Sequence, residues 1–126
     1  MADSTIRPVN DSTDLRMTAS VPTDLRWADT VVDLVGSAGD ARTTSIDRAA
    51  DIQTAAFEAF VDITERCDPG QVHLAVTRTS AGMTVRLSAE IPDWSAESSH
   101  LARRVISVLA DRAVFASDSI ELEFLT

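Results

Sequence analysis

The sequence predicts an α+β fold, a two-layer sandwich whose mainly antiparallel sheet carries three helices on one face. Three observations lead there. Four short segments place apolar residues at every second position, the period of a strand with one buried face. Three longer segments space them by three and four, the period of a helix with a buried stripe. Short turn sequences join neighbouring strand segments, so hairpins dominate and the pairing is antiparallel.

Residues 1–13 are polar, include Pro8 and show no periodicity, which predicts a flexible tail ahead of one domain over 14–126. In 14–21, Leu15, Met17, Ala19 and Val21 alternate with polar residues as a strand that Pro22 should stop. Thr23 or Asp24 then caps a helix to about residue 36, with Leu25, Ala28, Val31, Val32 and Val35 at helical spacing and Gly36 and Gly39 ending it. Thr44 and Ser45 followed by Asp47 resemble a capping box for the longest helix, roughly 45–66. Its apolar positions, among them Ile46, Ile52, Phe57, Phe60 and Ile63, cover more than one stripe. A sheet and a neighbouring helix should therefore cover it on two sides.

Asp68-Pro69-Gly70 terminates that helix. Val72, Leu74 and Val76, then Met83, Val85, Leu87 and Ala89, form two strands about a turn at Ser80-Ala81-Gly82, and Pro92 closes the second. Residues 96–112 read as a helix with Leu101, Val105, Val108 and Leu109 inward and Arg103, Arg104 and Arg112 solvated. Val114-Phe115-Ala116, a turn at Ser117-Asp118, and Ile120, Leu122 and Phe124 alternating with Glu121 and Glu123 make a closing hairpin with one wet face.

Composition narrows the function classes. A net charge of −9 argues against direct nucleic-acid binding, which needs clustered basic residues to neutralise phosphates, and favours a partner with a basic surface. Every basic residue is an arginine, so chemistry that requires a lysine, such as Schiff-base formation or a Walker-A phosphate grip, is ruled out. No apolar run reaches the roughly 18 residues of a membrane span, and the N-terminus lacks a basic start followed by an apolar stretch, so a cytoplasmic protein is expected. The lone Cys67 reads as a small buried residue. His73 and His100 have no neighbours at metal-ligand spacing and read as structural or surface residues. Trp27 and Trp94 read as core or interface anchors.

Asp51, Glu58, Asp62 and Glu65 are spaced by 7, 4 and 3 and so share one narrow face of the long helix. Like charges one turn apart repel by a few tenths of a kcal/mol, so something should offset them. Two readings stand: Glu58 and Asp62 hold a divalent cation through oxygens, or the edge is a solvated acidic face.

AADIQTAAFEAFVD, residues 49–62, resembles the N-box helix of the GHKL (histidine-kinase-like) ATPases, most closely the RsbW-type anti-sigma-factor serine kinases. Glu58-Ala59 and Asp62 fall on the Glu-Ala and Asn positions of that motif, and the β-α-α-β-β-α-β-β order from about residue 14 matches the family layout. The resemblance implies ATP and Mg²⁺ as cofactors, with Glu58 as the general base and Asp62 in place of the Mg²⁺-holding asparagine. It also implies a homodimer that sequesters a sigma factor in bacterial transcription and stress regulation, in competition with a STAS-type antagonist. The family's adenine-reading Asp-x-Gly-x-Gly aligns on Ala89, Ile91 and Asp93, and a slip of register would bring Glu90 or Asp93 to the adenine instead. WSAESSHL, residues 94–101, holds no glycine with which to form the phosphate lid. These departures predict weak or lost ATP binding. The expected function is therefore sequestration of a sigma factor, and the alternative is an active ATP- and Mg²⁺-dependent serine/threonine kinase acting on the antagonist.

Overall fold

The computed structural model describes residues 14–39, 45–67, 70–89 and 99–125. The expectations for residues 1–13, for the Asp68-Pro69 terminator, and for Glu90, Asp93 and Trp94 lie outside these residues. Strands β1 (Leu15–Pro22), β2 (Gln71–Thr79), β3 (Gly82–Ser88), β4 (Arg112–Phe115) and β5 (Ser119–Leu125) form one sheet in the order β1-β2-β3-β5-β4. Every neighbouring pair is antiparallel. Helices α1 (Ala28–Ser37), α2 (Ile46–Arg66) and α3 (His100–Leu109) make the second layer, so the α+β sandwich that the periodicity predicts is present.

Period-two alternation sends Val72, Leu74 and Val76 of β2, Met83, Val85 and Leu87 of β3, and Ile120, Leu122 and Phe124 of β5 into one core. Helix α2 crosses the middle of the sheet and touches β2, β3 and β5, with α1 and α3 on its two flanks. Ala55, Ala56 and Ala59 are fully buried on α2, and these small side chains let its neighbours approach around the buried Phe60 and Ile63. Gly36 serves the same purpose on α1: a Cβ there would meet the Gln53 amide, which donates to the Val32 carbonyl at 3.3 Å. At the β2–β3 turn, Gly82 has φ 151° and a Cβ would stand 2.3 Å from the Phe124 carbonyl oxygen, so only glycine fits.

β1 ends at Pro22, as expected, with the proline as its last residue on an edge strand, where prolines are tolerated. Several other expectations need correction. Asp24 does cap the next element, but that element opens as a 3-10 turn over Leu25–Trp27 before α1 begins, and Leu25 is exposed. Gly36 lies inside α1. Ser45 caps α2, its hydroxyl accepting from the Arg48 amide at 3.1 Å, while Ile46 and Phe57 face outward.

The largest correction concerns α3. Ala102 and Ile106 are its buried residues, and Leu101 and Val108 are 72% and 83% exposed. The helix is therefore turned so that Leu101 and Val108 face outward and Val105 is half-buried, while Leu109 packs against the core as expected.

Candidate functional site

The acidic edge of α2 is where sequence and structure can be compared residue by residue. Asp51 and Glu58 are half-buried, Glu65 is exposed, and Asp62 is buried with 4% of its side chain exposed. Helical rotation of about 100° per residue explains the split: the four share a face, but Asp62 sits on the side that turns toward α3. No hydrogen bond or ion pair joins Glu58 to another described residue.

Asp62 is held from two directions. Its Oδ2 accepts from Arg66 Nε at 3.2 Å, with Arg66 Nη2 also at 3.2 Å, and the Arg66 side chain is only 6% exposed. Its Oδ1 accepts from the Ser99 amide at 3.1 Å, at the start of α3, where the Ser99 hydroxyl in turn accepts from the Ala102 amide at 3.0 Å. Arg66 Nη1 continues to the Ser117 carbonyl at 3.2 Å. One buried ion pair thus ties the C-terminal turn of α2 to the N-terminus of α3 and to the β4–β5 turn.

This arrangement bears on the cation reading. A divalent ion on Asp62 would lie against the Arg66 guanidinium, and displacing that guanidinium would leave a buried arginine without a counter-charge. The residues at this corner do not fit a resident Mg²⁺. Ala89, aligned with the adenine-reading aspartate, is buried and offers a methyl group where a carboxylate would be needed. Among the described residues, no group of three or more His, Cys, Asp or Glu side chains converges as a metal site.

The outward face of α3 carries a second feature. Leu101, Val105 and Val108 stand at i, i+4 and i+7 and form an apolar ridge, with exposed Arg103 and Arg104 beside it. The Arg103 guanidinium lies over the Phe115 ring at 5.0 Å, which fixes one border of the ridge. At the far end of the helix, Arg48 of α2 donates to the Leu109 carbonyl at 3.2 Å and pairs with Asp111, so the ridge rests on a helix pinned at both ends.

Sequence reasoning missed Arg66 and the contact of Ser99 with Asp62. Both carried a signal: Arg66 lies four residues after Asp62, the spacing of a helical ion pair, and Ser99 precedes an apolar helical run, the place of an N-cap. Cys67 is buried as expected, and His73 lies on the solvent side of β2. No helix among the described residues is long and apolar enough to cross a membrane. No protein-family model matches the chain, and no curated protein matches it either.

Proposed function

We propose that this chain is a regulatory binding protein of the anti-sigma-factor kind, a cytoplasmic homodimer whose helical layer sequesters a sigma factor in competition with a STAS-type antagonist. The observation that carries the reading is the apolar ridge of α3, two of whose large aliphatic side chains lie more than two-thirds exposed. Such contiguous apolar exposure on a chain of this charge has an energetic cost in water that a partner removes. The net charge of −9 complements a basic sigma-factor surface. A long helix crossing an antiparallel sheet, with helices on both flanks, is compatible with the GHKL architecture that the Glu58-Ala59 and Asp62 resemblance implies.

ATP binding is weak or lost in this reading, because Asp62 serves Arg66 and Ser99 instead of a metal. The kinase alternative rests on Glu58, whose carboxylate has no described partner and would be available as a base.

The test is a titration of the source cell's sigma factors against the full chain and against Leu101→Glu/Val108→Glu, alongside Mg·ATP calorimetry. The proposal expects one sigma factor to bind, at least about tenfold weaker binding by the double variant, as for the loss of ridge anchors, and no heat from Mg·ATP at micromolar concentration. Failure of every sigma factor to bind would overturn it. Tight Mg·ATP binding followed by phosphate transfer to an antagonist would establish the kinase.

A further inference from the structure

The face of the sheet opposite the helices is open and rich in hydroxyl side chains. Registers across β1, β2 and β3 put Thr18, Ala75 and Arg86 in one row, and Ser20, His73 and Ser88 in the next. Ala75 has the smallest side chain of the six, and the larger ones stand around it. The result is a trough of about 310 Å³ with its floor over the Ala75 methyl. That volume lies at the small end of ligand pockets.

Among the described residues that line this trough there is no carboxylate, on a chain with 20 acidic and 11 basic residues. Arg86 has Glu121 directly across the β3–β5 register, yet the two form no ion pair, and Arg86 lines the trough. The Ser20 hydroxyl and His73 Nδ1 are 2.7 Å apart. In the tautomer where Nδ1 accepts from Ser20, the ring carries its one proton on Nε2, which is then its N–H donor. Thr18 and Ser88 add hydroxyls from the flanking strands. A guanidinium, an imidazole N–H and hydroxyls surrounding a small open volume form a donor set for an oxyanion, with the charge supplied by Arg86.

We infer that this trough binds a phosphoryl group, as inorganic phosphate or as the head of a small phosphomonoester. A tetrahedral oxyanion can take donors from several sides at once, which matches donors contributed by three adjacent strands; a planar carboxylate uses fewer of them. Ser20 and His73 are assigned to binding, because no acidic side chain among the described residues lines the trough to orient the ring as a catalytic base would require. The site lies on the opposite face from α3 and does not depend on the sigma-factor reading.

The experiment is a two-dimensional amide NMR titration of the full chain with inorganic phosphate, methyl phosphate, acetate and chloride at matched ionic strength. Saturable shifts at Ala75, Arg86 and Ser88 with phosphate or methyl phosphate are expected. Tighter binding of methyl phosphate identifies an esterified ligand, and tighter binding of inorganic phosphate identifies the free ion. Arg86→Gln should weaken binding by about tenfold or more, the loss of a charge-assisted contact. Ala75→Val should do the same by filling the trough while leaving the charge and the strand intact. Glu121→Gln, which removes a negative charge across the register from Arg86, should tighten binding. Absence of saturable shifts, equal shifts with acetate or chloride, or indifference to both Arg86→Gln and Ala75→Val would overturn the assignment.

Discussion

Asp62 shows how a residue chosen for one chemistry can be committed to another. Its position in a helical acidic row suggests a ligand, whereas its burial and its bonds to Arg66 and Ser99 make it a structural joint. Removing one partner of a buried pair strands the other charge, so Asp62→Ala should destabilise the fold by about 3–5 kcal/mol, read as a lower urea midpoint. Replacing both partners, as in Asp62→Leu/Arg66→Met, should recover most of that loss. Asp24 gives a pH prediction. The Arg26 amide bond, aided by the Arg26 charge, holds its carboxyl below the ordinary 3.8. A depressed folded pKa contributes stability that is fully present above 3.8 and is lost as pH falls through the lower folded value. Acid titration should therefore release the Arg26 amide, followed by its chemical shift and faster exchange, only below the normal aspartate range.

Most elements were legible because their periods were unambiguous. The alternations in β2, β3 and β5 left one possible inner face each, and α2 carried too many apolar residues to be a surface helix. The orientation of α3 was not legible. Leu101, Val105 and Val108 compete with Ala102, Ile106 and Leu109 for the core, both sets spaced by four and three. Side-chain size favours the first set; the close approach of α3 to α2 and β4, which needs a small residue at Ala102, selects the second. Spacing within one helix cannot reveal a neighbour's distance. The same limit hid the meeting of Ser20 with His73, which depends on the register between β1 and β2. The orientation of α3 is itself testable. Because the ridge is solvent-facing, Leu101→Glu/Val108→Glu should leave stability within about 0.5 kcal/mol of the parent, whereas Ile106→Ala should cost about 2–5 kcal/mol by thermal or urea unfolding.

The molecule presents two unlike faces. Its helical layer carries an apolar ridge flanked by Arg103 and Arg104, and its sheet carries a hydroxyl-lined trough with one arginine. The corner between α2 and α3, where the family resemblance implies a nucleotide, is spanned by the Asp62–Arg66 pair and the Ser99 amide. In the proposed function, the helical face is the working surface for a partner. Amide hydrogen exchange of the full chain, alone and with the sigma factor that the proposal expects it to bind, measures this most directly. The account predicts new protection concentrated in α3 over His100–Leu109 and in the adjoining part of α2, and none from Mg·ATP alone. Protection confined to the open face of β1–β3, or appearing with Mg·ATP at Asp62 and Ser99, would contradict it.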